Sequence, residues 1–235
     1  MARSTPLPFT LVPALLMLFH GCGSTGFFNR LDEGVIEYAL TFPDYDPNGI
    51  MAGMLPERSQ LTFREGRQLA ELSAGMGLFR TAMITDDEHR TVDYRMSMMG
   101  KRIAADMKAR DLDVFVAESG KPTIIYTNDL DSIAGYPCRR AIAIFDRIDH
   151  PEIELWYTDR IDLKEPNWFN PFAEVPGVLL CYEVQHYGLR MRLTAISVKP
   201  GKVDLAKFAP STEHQQVPPE VLHHEMAEVL GTFSM

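Results

Sequence analysis

Apolar and polar residues alternate along several short segments of the chain, and this period of two predicts β-strands. The clearest segment covers residues 34–42, where one side carries the apolar residues Ile36, Tyr38, Leu40 and Phe42. Two hairpins are predicted next. One turns at Glu65-Gly66, and the other turns in the "DDEH" stretch at 86–89.

The same pattern continues through the second half of the chain. Strands are predicted at 123–127, 138–145, 153–161, 178–185 and 189–198. The last two are joined by "HYG", a hairpin signal. Near the end, proline precedes apolar residues at helical spacing, which predicts one amphipathic helix. These residues are Val221, Leu222, Met226, Val229 and Leu230.

Successive strands without intervening helices are typical of antiparallel meanders. About ten such strands must curl or close in order to cover their apolar face. The sequence therefore predicts a mainly β fold, a curved antiparallel sheet in the form of a half-barrel or open barrel, with a C-terminal helix. The β domain is assigned to residues 34–212 and the helical segment to 213–235.

Residues 1–21 have the features of a lipoprotein signal peptide. Arg3 precedes an apolar stretch at 7–19 that is too short to span a bilayer, and Gly21 precedes Cys22. Cys22 is then the lipidated residue, and residues 22–33 form a tether. The alternative is an ordinary secretory signal with a coincidental cysteine, since His20 stands where the lipoprotein pattern prefers a small residue.

This N-terminus predicts an exported protein, anchored to the outer membrane and facing the periplasm, or else soluble in the periplasm or secreted. The formal net charge is −9, and the basic residues are scattered along the chain. Such a composition argues against nucleic acid as a partner and against an anionic membrane face. Contact with the membrane is expected through the lipid anchor.

Eight of the thirteen methionines lie between Met51 and Met107. Methionine is flexible and polarizable, so a surface lined with it accepts ligands of several shapes. An apolar ligand-binding cleft inside the sheet is therefore one interpretation, and a filled core made by the same side chains is the other. The candidate ligand-binding residues are Tyr38, Phe63, Tyr94, Met96 and Met98.

No segment matches a strong catalytic motif such as G-x-S-x-G, H-E-x-x-H or C-x-x-C. Adjacent residues on a helix point about 100° apart, so His223 and His224 do not easily share a metal ion. His224 and Glu228 supply two ligands at most. The prediction is a non-enzymatic protein without a metal or cofactor.

Cys138 has three possible states: a buried thiol, half of a disulfide with Cys181, or a reactive thiol assisted by Arg140. In a simple meander, strand 153–161 separates the two cysteines by about 10 Å, which is too far for a disulfide. A non-sequential strand order, or opposition across a closed barrel, would be needed to bring them together. The buried thiol is therefore preferred.

Three segments together resemble the GLPGLI-type proteins, a family of exported bacterial lipoproteins of unknown function. They are "SIAGYPCRRAIAIF", "ELWYTDRI" and "VPGVLLCYE". The residues of this motif are Gly135, Tyr136, Cys138, Trp156, Tyr157, Pro176 and Gly177. The resemblance implies the curved sheet of periplasmic lipoprotein carriers, whose concave face can hold an acyl chain.

The motif residues also have individual structural predictions. Gly135 is expected in the turn before its strand, and Tyr136 is expected to pack its ring with the hydroxyl near solvent. Trp156 and Tyr157 must face opposite sides of one strand. Pro176-Gly177 is typical of a type II turn.

The functional expectation is a lipid-anchored periplasmic protein that binds an apolar ligand, a lipid or an acyl chain, in its concave face. One alternative is an envelope structural or assembly lipoprotein with a filled core that binds a partner protein. The other is a hydrolase or metal-dependent enzyme whose site is assembled from distant residues.

Overall fold

The computed structural model describes residues 30–46, 52–112, 120–146 and 152–231, and these form one sheet of twelve strands and a C-terminal helix. The strands are β1 (Glu33–Thr41), β2 (Arg58–Arg64), β3 (Arg67–Ala74), β4 (Phe79–Asp86), β5 (Thr91–Met98), β6 (Lys101–Lys108), β7 (Thr123–Ile133), β8 (Tyr136–Ile144), β9 (Ile153–Thr158), β10 (Val178–His186), β11 (Leu189–Pro200) and β12 (Gln215–Gln216). Helix α1 covers Pro219–Gly231. Short 3₁₀ turns lie at Ala52–Met54, Gly75–Gly77, Ala109–Asp111 and Leu205–Phe208.

The order of strands is β12-β6-β5-β4-β3-β2-β1-β11-β10-β9-β8-β7. Strand β1 pairs antiparallel with β2 on one side and with β11 on the other. Two sequential meanders, β1 to β6 and β7 to β11, are therefore joined in the middle of the sheet by strands from opposite ends of the chain. This joint is the longest-range pairing along the sequence.

The mainly β fold with a single C-terminal helix is confirmed, and the sheet is open. Two of the twelve strands were not predicted. Strand β6 follows a tight turn at Met99-Gly100, where both residues have positive φ (48° and 89°). Gly100 is a turn signal of the same kind as Gly66, but methionine is uncommon in the position before it, and the prediction did not end the strand there. Strand β12 has only two residues and pairs in parallel with β6, within a segment expected to be helical.

The sheet curls strongly about its apolar face. Tyr94 on β5 and Tyr182 on β10 line the same cavity. Six strand spacings separate β5 from β10 in the sheet order, which would amount to about 29 Å in a flat sheet. Curling therefore brings the two meanders face to face, as expected for a half-barrel.

The largest core cluster surrounds the central joint. Ile36, Phe63 and Leu180 are fully buried there. The hydroxyl of Tyr38 donates a hydrogen bond of 2.8 Å to the carbonyl of Leu179, which ties β1 to β10 across the intervening β11. The joint is thus held by side chains as well as by backbone pairing.

No helix among the described residues is long and apolar enough to cross a membrane.

Replacing Ile36 with alanine should lower the free energy of unfolding by about 2–5 kcal/mol, because it leaves a cavity in the fully packed joint. Ile196 on the neighbouring strand β11 is the matched control, since 44% of it is exposed, compared with 0% for Ile36. We expect Ile196→Ala to cost less than about 1 kcal/mol. Chemical denaturation of both variants measures the difference, and equal losses would contradict the importance of the joint.

Candidate functional site

The concave face encloses a mostly apolar cavity of about 220 Å³. The strand residues that form its wall are Leu40, Ala70, Leu72, Ala74, Phe79, Thr81, Met83, Val92, Tyr94, Met107, Tyr182, Val184, His186, Leu189, Met191 and Leu193. An apolar cavity of about 150 Å³ can take up benzene, and pockets for drug-sized ligands begin near 300 Å³. The cavity therefore suits a small apolar molecule or one end of an acyl chain.

The connection between β9 and β10 covers one part of the concave face, and we call residues 164–177 the strap. Gln68 on β3 donates from Nε2 to the carbonyl of Pro166 at 3.0 Å. Within the strap, buried Asn167 donates from Nδ2 to the carbonyls of Val175 and Gly177, each at 2.9 Å. The strap is therefore a folded cover with its own hydrogen bonds.

The strap also supplies apolar side chains to the site. Phe169, Asn170 and Pro171 line the cavity. Phe172 and Val175 are each 1% exposed and belong to a core cluster with β8, β9 and β10. The strap thus fills part of the concave face and forms a wall of the remaining space.

Helix α1 covers another part of the same face. Its buried residues Leu222 and Met226 pack with Met96 and Ile103 of β5 and β6. Met226 and Leu230 reach the cavity. On the other side of the cavity, the hydroxyl of Tyr187 and Nδ1 of His223 lie 3.0 Å apart in a hydrogen bond. The helix therefore spans from the β5–β6 hairpin to the β10–β11 hairpin.

A charged latch holds the strap to the β4–β5 turn. The indole Nε1 of Trp168 donates to Oδ1 of Asp87 at 3.0 Å. The guanidinium of Arg90 lies 5.2 Å from the centre of the Trp168 ring and also pairs with Glu165. Burial of the Asp87 carboxyl raises its pKa to about 6, against the opposing effects of the Trp168 hydrogen bond and the Arg90 charge.

Two of the tyrosines that line the cavity are partly buried. Burial raises the pKa of Tyr94 to about 12 and the pKa of Tyr182 still further, so both hydroxyls stay protonated. Among the described residues that line the cavity, there is no carboxylate, amine, guanidinium or thiol. The lining is suited to an apolar ligand and can orient it with a few hydrogen bonds, from groups that include the imidazole of His186.

The five predicted ligand-binding residues separate into different environments. Tyr94 lines the cavity. Tyr38, Phe63 and Met96 are packed inside core clusters with at most 2% of their surface exposed. Met98 is partly buried beside the cluster that contains helix α1. Only Tyr94 among them is therefore placed to touch a ligand in the cavity.

Two of the motif residues lie at the hairpin between β7 and β8. Gly135 has φ +82° and follows Ala134 at φ +50°, so the pair makes the tight turn that was predicted before the strand. Tyr136 is partly buried against the central core cluster. Tyr136 is the first residue of strand β8, and both residues lie outside the lining of the cavity.

Trp156 and Tyr157 pack into different core clusters, as neighbours on one strand must. The predicted type II turn at Pro176-Gly177 is wrong, because Gly177 does not have the positive φ that this turn requires. Gly177 instead allows the backbone of the strap to pass close to the backbone of Thr158, since a β-carbon on Gly177 would lie 2.4 Å from the carbonyl oxygen of Thr158. A glycine is needed there so that the strap can enter β10.

Cys138 and Cys181 are both buried free thiols. The strand order places β9 between β8 and β10, as the predicted meander required. Burial raises the pKa of Cys138 to about 11, which disfavours the thiolate that a nucleophile needs. The structure thus supports the buried thiol over the disulfide and the reactive cysteine.

The histidine pair on helix α1 has separate partners. His223 contacts Tyr187, and Nε2 of His224 lies 3.3 Å from a carboxyl oxygen of Glu228. Among the described residues, no group of three or more side chains is arranged to hold a metal ion. Cys22 and the signal segment at 1–21 lie outside the described residues, as does most of the tether.

Sequence reasoning did not identify the strap as part of the site. Its signal was present in the stretch "EPNWFNPF" at 165–172, where three aromatic residues occur in a connection between strands. Loops at the surface are seldom so aromatic, because exposed apolar side chains contribute nothing to stability. An aromatic loop next to an open sheet is a signal that the loop packs onto it.

The fold is similar to that of several solved structures. PNGF-II, in its C2 and P21 crystal forms, matches with TM-scores of 0.53 and 0.51 and with 14% identity in both cases. The matches cover 83% and 84% of this chain, but 32% and 33% of PNGF-II. The chain therefore spans about a third of that protein, and the likeness concerns the fold alone.

Two further structures match at lower scores. MucB in complex with MucA(peri) has a TM-score of 0.39 at 10% identity, and the match covers 81% of this chain and 58% of the matched chain. The β-barrel-like protein of DUF1849 from Brucella abortus has a TM-score of 0.34 at 10% identity and covers 74% of this chain and 99% of its own.

No protein-family model matches the chain, and no curated protein matches its sequence. The likeness to the GLPGLI-type proteins therefore remains a resemblance of the three segments in the sequence.

Replacing Asp87 with asparagine should stabilise the protein at neutral pH but not in acid. The folded protein favours the protonated form of the Asp87 carboxyl. The contribution of this carboxyl to the free energy of unfolding is therefore complete below pH 3.8 and is lost as the pH rises through about 6. Asparagine stays neutral and keeps an oxygen for the Trp168 N–H. We expect a gain of about 1–2 kcal/mol above pH 6, less than the full shift implies because the carboxyl is partly exposed.

Thermal unfolding of the Asp87→Asn variant across this pH window measures the effect. Glu88→Gln is the matched control, since it removes an exposed carboxylate from the same turn. A gain that is the same at every pH would show that the charge of Asp87 is not its cause.

Proposed function

We propose that this protein binds an apolar ligand, a lipid or a single acyl chain, with one acyl end in the cavity beneath the strap and helix α1, and that it does so without covalent chemistry. The observation that supports this proposal is the cavity itself. It is mostly apolar, encloses about 220 Å³, and remains in a concave face that two separate elements already cover. Well-packed protein interiors seldom leave an apolar space of this size without a ligand.

The N-terminal sequence supports the second part of the proposal. We infer that the chain is exported, that Cys22 is acylated, and that the lipid anchor holds the β domain at the outer membrane on its periplasmic side. The GLPGLI-type resemblance agrees with this assignment. An anchored domain would exchange apolar molecules with the membrane over a short distance.

An envelope assembly protein that binds a partner protein is the second candidate. It is favoured by the degree of packing, since Tyr38, Phe63 and Met96 fill the core where a ligand was expected. In that case the cavity would stay empty in the isolated protein. The lining of the cavity gives no comparable support to a hydrolase or a metal-dependent enzyme.

Mass spectrometry of the protein isolated gently from its native membrane tests the anchor and the ligand together. An acyl mass on Cys22 and a co-purifying apolar molecule are the expected results. Acylation without a ligand would favour the assembly protein. An unmodified Cys22 would remove the anchor from the proposal.

Filling the cavity should abolish ligand uptake without unfolding the protein. Ala70 on β3 is partly exposed to the cavity, so we expect Ala70→Phe to weaken binding of a fluorescent fatty acid by at least about tenfold. Ala82 on β4 faces the opposite side of the sheet, where it packs near Leu69 and Ile84. Ala82→Phe is the matched control and should bind as the unmodified protein does.

Titration of both variants with the same probe distinguishes the outcomes. Thermal unfolding must first show that each variant is folded. Equal binding by the two variants would place the ligand outside the cavity and contradict the proposal.

A further inference from the structure

Two neighbouring hairpin tips present large apolar side chains to solvent. Met76 is 99% exposed and Leu78 is 57% exposed in the β3–β4 connection, and Met99 is 82% exposed in the β5–β6 turn. Strands β3 to β6 are consecutive antiparallel neighbours, so both connections lie at the same end of the sheet. Phe79 pairs directly with Met98 in the register, which places Leu78 and Met99 side by side.

The backbone conformation makes these methionines unusual. Met76 has φ +55° and Met99 has φ +48°, in the left-handed region where glycine and asparagine are favoured. A methionine there accepts a backbone cost and also leaves its apolar side chain in water. Neither the left-handed backbone nor the exposed side chain stabilises the isolated fold. The exposed methionines are therefore consistent with a surface that contacts another molecule.

The charge around the tips differs from that of the whole chain. The chain has 32 acidic residues, yet none occurs from 72 to 85 or from 94 to 105. These two stretches carry Arg80, Arg95, Lys101 and Arg102. The two hairpins therefore contribute basic but no acidic residues to this end of the sheet, and the acidic residues beside them, Glu213 and Glu225, come from the C-terminal segment.

The basic side chains near the tips are available for an anionic partner. Arg80 forms no ion pair within the described part of the chain, and its guanidinium lies over Gly77, beside Met76. Lys101 pairs with Glu225, and Arg102 pairs with Glu213, with about half of each basic side chain exposed. Exposed ion pairs of this kind are weak, so an anionic group can replace the carboxylate.

The same hairpin connects the tips to the cavity. Ala74 and Phe79, which flank the β3–β4 connection, line the cavity with Leu55. Met54, next to Leu55, is 41% exposed, and its terminal methyl lies 4.0 Å from the β-carbon position of Gly75. Apolar side chains are therefore continuous from the exposed tips to the lining of the cavity.

We infer that this end of the sheet docks on an anionic lipid bilayer, with Met76, Leu78 and Met99 inserted among the acyl chains and Arg80, Lys101 and Arg102 at the headgroups. Apolar side chains ringed by cations match the two layers of a bilayer surface. Acidic residues elsewhere on the chain are repelled by that surface, which fixes the orientation. Docking is independent of what the cavity holds, and only the passage of a ligand from bilayer to cavity rests on the proposed function.

The test places tryptophan at the tips of the full exported chain. Met76→Trp and Met99→Trp are mixed with vesicles of phosphatidylcholine and phosphatidylglycerol that contain brominated acyl chains, which quench inserted indoles. Leu130→Trp is the control, because Leu130 is 75% exposed but lies on the edge strand β7. The signal of the unmodified protein, which contains Trp156 and Trp168, is subtracted.

We expect blue-shifted emission and quenching at positions 76 and 99, and neither at position 130. A lipid anchor alone would bring all three variants to the vesicle without inserting the tips. Equal quenching at the three positions, or none at 76 and 99, overturns the inference. Equal quenching on vesicles of phosphatidylcholine alone overturns the preference for anionic lipid.

The cations are tested separately by vesicle binding. Arg80→Gln and Arg102→Gln should each weaken binding about fivefold, the effect of one basic residue near an anionic surface. Arg110, 81% exposed and located beyond the other end of β6, is the matched control, and Arg110→Gln should change nothing. Ala70→Phe should dock normally, so failure of the ligand proposal and failure of docking are distinguishable.

Discussion

A single open sheet has one apolar face with no second layer opposite it, and this constraint shapes the rest of the molecule. The sheet meets it in part by curling, which turns β5 and β10 toward each other. The curl is not enough to cover the face, so the strap and helix α1 pack onto it from different parts of the chain. The cavity is the space that these two covers leave between them.

The pairing of β1 with β11 makes the curled sheet possible, because it joins two meanders that would otherwise be separate sheets. Gly34 pairs with Pro200 and Thr41 with Arg192, so residues more than a hundred positions apart must find one register. Long-range pairing of this kind is costly in chain entropy and gains support only when the core around Ile36 and Phe63 is formed. The central joint and the core it buries therefore depend on each other.

The two covers are held to the sheet by different kinds of interaction. Helix α1 is fixed mainly by burial of Leu222 and Met226, and the stability gained from burying these apolar side chains does not depend on pH. The strap is fixed in addition by the latch of Asp87, Trp168 and Arg90, in which a buried carboxyl remains charged at neutral pH at a cost to stability. A destabilising group in a latch favours local opening there. The latched end of the strap is therefore expected to open before helix α1 does, at the end of the sheet opposite the exposed tips.

The sequence by itself determined the local elements: most of the strands, the hairpin turns at Glu65-Gly66 and Tyr187-Gly188, and the C-terminal helix. Each follows from the spacing of apolar residues or from a turn residue within a few positions. Strand β6 was missed although Gly100 marks its turn, because Met99 before it occupies a left-handed position that local propensity does not favour. The tertiary structure alone decided that β1 joins β11, that the aromatic strap covers the concave face, and that Tyr94 meets the cavity whereas Tyr38 and Phe63 are packed away from it. The alternation of apolar and polar residues predicts which side of a strand is apolar. What that side contacts depends on the strand order and on the curl of the sheet, and both are set by residues far apart in the chain.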